Sequence, residues 1–195
     1  MSCAPRARAL AGAPTTATIP AATLAPGHQR VTFRWEFSDG DVGFKGEGAA
    51  RVAGPDSARL DFFLSNGSGG HAVLLGDSLA VPRGADQFRK VLPPAPLLWA
   101  ALGRLAVPAT SDTTIRADGR LLRAEFRDPG RWRVTFDDTR FVELVRIDDG
   151  RVLERVTRGA DGRVDYEHLG ARRRLSLTRL AATPAGAFDA AIWRP

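Results

Sequence analysis

The side chains best suited to chemistry in this sequence are few. Its three histidines, His28, His71 and His168, lie far apart and lack the spacing of metal ligands. Two adjacent carboxylate pairs, 137–138 and 148–149, sit at expected turns, and neighbouring strand residues point to opposite faces, so neither pair can share a proton. The motifs GxSxG and HExxH are also absent. We therefore predict a protein that is not an enzyme and needs no metal or cofactor.

Cys3 is the residue for which a covalent modification is indicated. It heads an Ala-, Pro- and Thr-rich segment, residues 1–28, whose composition predicts an extended, disordered tether. A mature bacterial lipoprotein begins in this way, so we expect Cys3 to carry diacylglycerol. No secretory signal is present as written, and on this interpretation residues 1–2 stand in place of a signal peptide. The alternative is an incidental thiol.

Composition and charge limit the remaining possibilities. The chain has 195 residues, 44% hydrophobic and 26% charged, which suits one folded domain over residues 29–195. No apolar run is long enough for a transmembrane helix, which needs about 20 residues. The net charge of +6 permits attraction to nucleic acid or anionic lipid. The arginines fall on the polar faces of expected strands, however, and the aromatic residues alternate inward, so we expect no nucleic-acid partner.

One segment, Leu92–Pro108, has a clear helical pattern. Within it, Pro93, Pro94 and Pro96 precede the expected helix and Pro108 follows it. The leucines between them recur at helical spacing, with Arg104 the only charge. A helix that is apolar nearly all round must be buried. Two interpretations remain open: the helix plugs one end of a sheet core, or it forms a lid over a hydrophobic cavity.

The rest of the chain predicts β-strands. Residues 31–37 alternate strictly between apolar and polar, and Asp-Gly turns at 118–119, 149–150 and 161–162 separate further strands. The strand at 42–52 holds three glycines and is expected to be twisted or bulged. We predict a mainly β fold, a curled antiparallel half-barrel of about ten or eleven strands with one central helix.

The apolar positions of these elements would share one interior. This interior is either a filled core or a cavity for acyl chains, and periodicity is compatible with both. The candidate cavity residues are Phe33, Trp35, Phe37, Leu60, Phe62, Leu64, Leu98, Trp99, Leu102, Trp132, Val134, Phe136, Val142 and Leu144.

The stretch Gly46–Gly70 resembles the LolA/LolB-type lipoprotein-localisation factors. The matching pairs are Arg-Val at 51–52, Pro-Asp at 55–56 and Arg-Leu at 59–60. The helix after the first strands and the hairpins from Trp132 onward also look like that family. The resemblance spans about residues 29–180, and a tether headed by cysteine resembles the LolB-type member, an outer-membrane lipoprotein.

This resemblance implies an unclosed half-barrel whose helices lid a hydrophobic cavity for the acyl chains of lipoproteins. It predicts a monomeric, non-catalytic carrier, acceptor or chaperone on the periplasmic face of the bacterial outer membrane, anchored by its N-terminal lipid. Its partners would be a lipid or an acylated protein. The loop Ser65–Gly70 departs from the LolB pattern because it lacks the exposed leucine that delivers cargo to the membrane, so another lipid or apolar ligand stays open as an alternative. The alternative is a structural or envelope-assembly lipoprotein with a filled core that acts through protein partners.

Overall fold

A computed structural model describes residues 4–107, 110, 112–127 and 130–195. These residues form thirteen β-strands, two short α-helices and a C-terminal 3₁₀-helix. The strands are β1 Ala13–Pro14, β2 His28–Asp39, β3 Val42–Ala53, β4 Ser57–Leu64, β5 Gly69–Leu75, β6 Ser78–Ala80, β7 Thr113–Asp118, β8 Leu121–Phe126, β9 Arg131–Asp137, β10 Arg140–Asp148, β11 Arg151–Arg158, β12 Arg163–His168 and β13 Arg173–Ala185. The helices are α1 Asp86–Val91, α2 Ala95–Leu102 and the 3₁₀-helix Ala190–Trp193.

All strands belong to one antiparallel sheet, in the order β1-β7-β8-β9-β10-β11-β12-β13-β2-β3-β4-β5-β6. The sheet is curled, and in the described part of the chain it does not close into a barrel, because β1 and β6 remain as unpaired edges. The predicted mainly β, curled antiparallel architecture is confirmed, but the predicted strand number is too low. One reason is β1, whose two residues pair with β7 at Ala117 and Arg116 and carry no apolar alternation that would reveal a strand.

The pairing of β13 with β2 joins the two halves of the sheet. β13 continues to Ala185 because the whole of β2 is available to pair with it. A bulge between Arg179 and Ala181 interrupts the register, and beyond it Ala182 faces Val31. This extension lengthens the wall of the sheet at the end where β2 begins.

Two glycines of β3 allow aromatic side chains of β2 to pack closely against its backbone. β3 keeps an unbroken register with both neighbours, so the bulge considered from its sequence does not form. A Cβ at Gly48 would overlap the ring of Phe33, and one at Gly46 would overlap the Phe63 carbonyl and lie against Trp35. Glycine at these positions lets aromatic rings from β2 lie flat against β3 on the concave face of the sheet.

The connection from β6 to β7 crosses the concave face through both helices. α2 is shorter than the predicted segment because Gly103 adopts φ 100° and ends it, with the N–H of Arg104 bonded to the carbonyl of Trp99. Pro108, the predicted far boundary, lies outside the described residues. α1 comes shortly before α2 in the chain. The ring of Phe88 in α1 packs edge-on against that of Phe62, with 5.5 Å between the ring centroids. This contact holds the otherwise polar α1 segment against the core.

The N-terminal segment also differs from the expected tether. The Val152 N–H donates to the carbonyl of Pro5 at 2.9 Å, and Arg133 donates to the carbonyl of Arg8 at 2.9 Å. Extended backbone can dock on a sheet through its own N–H and C=O groups, which composition does not reveal. Residues 4–14 therefore follow the sheet, whereas Cys3 lies outside the described residues.

The convex face of the sheet carries paired charges. Glu125 is buried and accepts hydrogen bonds from Arg131 and Arg133, at 3.1 and 2.7 Å. Glu167 is bonded by Arg155 and Arg174. These arginines of the convex face are thus paired with carboxylates from the same or neighbouring strands. Within the described residues, no helix has the length and apolar character needed to cross a bilayer.

Candidate functional site

The concave face gathers most of the predicted interior residues. Ten of the fourteen are buried in one core: Phe33, Trp35, Phe37, Leu60, Phe62, Leu98, Trp99, Val134, Phe136 and Leu144. Leu64, Leu102 and Trp132 are half-buried and pack against that core. Val142 is half-buried at the bulge between Phe141 and Glu143 and lies apart from the core, because the bulge breaks the alternation that assigned it inward.

α2 fills the middle of this concave face. Leu97, Leu98, Trp99 and Ala100 are fully buried, and the helix lies over β10, β11 and β12. The indole N–H of Trp99 donates to the carbonyl of Gly76 at 2.7 Å, which ties α2 to the β5–β6 turn on the far side of the curl. The central part of α2 therefore packs as a plug.

A cavity of about 440 Å³ remains beside the C-terminal end of α2. Of the predicted interior residues, only Phe33, Leu60 and Leu102 line it. The walls come from β2, β3, β4, β12 and β13, and the other apolar side chains lining them are Val31, Ala50, Val52, Val164, Leu177 and Ala182. Strict alternation from Phe33 would have included Val31, whereas nothing local marks Ala50 or Ala182 as cavity residues.

Residues 15–27, which we call the strap, close one side of this cavity. Ile19, Ala22 and Leu24 pack against the core, and Leu24 also lines the cavity. Backbone hydrogen bonds hold the strap at its start, its middle and its end: the Thr15 N–H donates to the Ile115 carbonyl at 3.3 Å, the Leu105 N–H to the Ala22 carbonyl at 2.8 Å, and the Gly54 N–H to the Gly27 carbonyl at 3.0 Å. A segment expected to be a tether thus forms part of the wall.

The mouth of the cavity is basic. Arg140 at the start of β10, Arg158 at the end of β11 and Arg179 beside the bulge of β13 all line it. Arg158 donates to the carbonyls of Ala100 and Ala101, the last turn of α2, where a positive charge is favoured by the helix dipole. Burial lowers the pKa of the Arg158 guanidinium below its ordinary value, and the charges of Arg179 and Arg140 lower it further.

The three histidines are not brought together. His28 contacts Phe188 edge-on at 5.4 Å, and Nδ1 of His168 accepts a hydrogen bond from the Ala171 N–H at 3.1 Å. His71 lies on β5, where burial and the charge of Arg59 lower its pKa, while Asp61 opposes the shift. No cluster of potential metal ligands occurs within the described ranges.

Comparison with known proteins gives a fold but no sequence relative. No protein-family model matches the chain, and no curated protein sequence does. A LolA superfamily protein of Nitrosomonas europaea has a similar structure, with TM-score 0.57 and 11% identity over 89% of this chain and 92% of that chain. A DUF1329 family protein of Desulfovibrio piger gives TM-score 0.50 and 8% identity over 87% and 90%. This chain therefore has a LolA-like fold.

Proposed function

We propose that this protein is a non-catalytic carrier or acceptor that holds an acyl chain, from a lipid or an acylated protein, in the cavity beside α2. The observation that supports it most is the cavity itself, about 440 Å³ with side chains such as Val31, Leu60 and Leu177 on its walls. This volume falls in the range of about 300–1,000 Å³ that small-molecule sites occupy. The likeness to a LolA superfamily protein adds support from the fold.

A second function is favoured by the packing of α2. Because its central residues are fully buried, the middle of the concave face is filled in the manner of an ordinary core. A filled core of this kind is sufficient for a structural or envelope-assembly protein that acts through protein partners. The cavity at the end of α2 is the feature that separates the two hypotheses, so its occupancy is the property to measure.

Binding of saturated fatty acids tests the carrier hypothesis. We expect the affinity to rise from octanoate through decanoate and dodecanoate, about fourfold for each added methylene, because burying one CH₂ contributes about 0.8 kcal/mol. The rise should stop once the cavity is full. Isothermal titration calorimetry below the micelle concentration measures this series. Absence of binding, or an affinity independent of chain length, would support the structural alternative.

We further propose that Cys3 carries a lipid anchor, which holds the protein as a monomer at the periplasmic face of the outer membrane in the manner of a LolB-type lipoprotein. Two-chain anchors hold firmly, since each buried methylene contributes about 0.8 kcal/mol. Ala4 accepts a hydrogen bond from Arg151 at 3.0 Å, beside the β10–β11 turn. That turn and the cavity mouth lie at opposite ends of β11. An anchored domain would thus present its mouth away from the attachment point.

Mass spectrometry tests the anchor. The protein is produced in a bacterial host from a precursor that carries a lipoprotein signal sequence ending at Cys3. We expect the mature chain to gain the mass of a diacylglyceryl group and an N-acyl chain, and the Cys3→Ser variant to lack both. An unmodified Cys3 in correctly cleaved protein would refute the anchor and leave the carrier hypothesis standing.

A further inference from the structure

The cavity mouth carries positive charge that the described part of the chain does not neutralise. Arg140 pairs with Asp137 at 2.9 Å. Arg158 uses its Nη1 group for the α2 carbonyls, and its Nη2 and Nε groups have no hydrogen-bond partner among the described residues. Arg179 is exposed and forms no ion pair or side-chain hydrogen bond within those residues. Its guanidinium is therefore available to a ligand.

Acidic side chains near the mouth do not compensate for these arginines. Asp137 is already bonded by Arg140 and also contacts Arg120 at 3.3 Å. Asp161, in the β11–β12 turn, accepts the backbone N–H of Arg163 at 3.0 Å. Among the described residues that line the cavity, none is a carboxylate. The mouth of this largely apolar cavity is therefore lined by arginines, with no carboxylate among the described lining residues.

Such a combination matches one class of ligand. A guanidinium presents parallel N–H donors that fit the two oxygens of a carboxylate or phosphate, and such charge-assisted bonds are stronger than neutral ones. Arg158 and Arg179 lie on the same concave face as the apolar wall, since Arg158 follows Val156 by two residues on β11 and Arg179 follows Leu177 by two on β13. An acyl chain seated against that wall would bring its polar end to the rim.

We propose that Arg179 and Arg158 form a head-group site for an anionic lipid, carboxylate or phosphate, whose acyl chain occupies the cavity. This inference rests on the proposed carrier function and names its ligand class. Arg179 supplies the main contact, because its donors are unengaged. Arg158 adds a second contact through Nη2 while its Nη1 group stays bonded to α2. A neutral lipid of equal chain length would leave both groups without a partner.

The test compares three ligands that share one chain: dodecanoate, dodecyl phosphate and dodecanol. We expect the full chain to bind either anion about tenfold or more tightly than the alcohol, as one charge-assisted hydrogen bond provides. Arg179→Gln should remove most of that preference, and Arg179→Lys should retain part of it. Arg34→Gln is the matched control: Arg34 lies on the convex face, is exposed, and pairs only loosely with Glu47 at 3.8 Å. It should leave the preference unchanged.

The outcomes separate this site from the carrier function. Equal affinity for all three ligands, unaltered by Arg179→Gln, would overturn the head-group site while leaving the carrier function intact. Failure of all three to bind would overturn both. A tighter dodecyl phosphate would identify a phospholipid-like head group, and a tighter dodecanoate a fatty acid; both support the site. The preference should also shrink when the salt concentration rises from about 0.05 to about 0.5 M, because exposed charges are then screened.

Discussion

Replacing Trp99 with alanine should lower the free energy of unfolding by about 3–5 kcal/mol, as removal of a buried aromatic side chain does. Trp99 is fully buried at the centre of α2, and its indole N–H bonds to the carbonyl of Gly76 at 2.7 Å. Its loss would leave a hole in the core and remove the shorter of the two hydrogen bonds to the Gly76 carbonyl, which also accepts from Arg104 at 3.4 Å. Since a domain is stable by only about 5–15 kcal/mol, the variant should be close to unfolding at moderate temperature.

Urea unfolding followed by circular dichroism measures this change. Trp99→Phe is the control that keeps most of the ring and removes the N–H donor. Because Arg104 still donates to the Gly76 carbonyl, its cost should be the smaller one of a single lost hydrogen bond, about 0.5–1.5 kcal/mol. Trp99 does not line the cavity. Dodecanoate affinity, measured where Trp99→Phe is fully folded, should therefore stay close to that of the unaltered protein. A loss below about 1 kcal/mol for Trp99→Ala would show that α2 is not packed as a plug.

Replacing Ala50 with phenylalanine should abolish dodecanoate uptake, with affinity reduced at least about a hundredfold by loss of the apolar contact area. Ala50 is 1% exposed and lies in the cavity wall between Val31 of β2 and Leu60 of β4. A ring at this position would occupy space that an acyl chain needs. Filling a cavity also commonly stabilises a protein, by about 0.5–2 kcal/mol, so binding and stability should move in opposite directions.

Ala49→Phe provides the matched control for this experiment. Ala49 is the neighbouring residue of β3, faces Asp61 across the ladder, and points to the convex side, so its ring would lie outside the cavity. Calorimetry should give near-normal dodecanoate affinity for Ala49→Phe. Should the ring at position 50 overpack the wall, Val52→Phe offers a second blocking site two residues along the same face. Normal binding by both folded blocking variants would mean that the acyl chain binds elsewhere.

The alternation of apolar and polar residues was sufficient to assign most of the concave face. A side chain in a strand points to one face or the other with a period of two, so local sequence places Phe33, Trp35 and Phe37 on one side together. Prolines and leucines likewise marked α2 as a buried helix. These features depend on neighbouring residues, and they determined the curled antiparallel architecture that the structure has.

The limits of α2 and of the cavity depended on contacts distant in sequence. Gly103 ends the helix, and the space beyond it becomes a cavity because the strap, β3 and β13 enclose it from separate parts of the chain. The strap docks through backbone hydrogen bonds, which leave no side-chain pattern. Val142 was assigned inward by alternation, and the bulge after Phe141 shifted it out of the core.

The sequence by itself therefore determined the fold class, the apolar face and the buried helix, because period and turn chemistry are local properties of the chain. Only the tertiary structure decided that α2 is a plug at its centre and borders a cavity at its end. The rim of that cavity was likewise decided by tertiary structure. Arg158 and Arg179 come from different hairpins, and strand pairing alone brings these two like charges to the same opening, where nothing in the local sequence predicts their proximity.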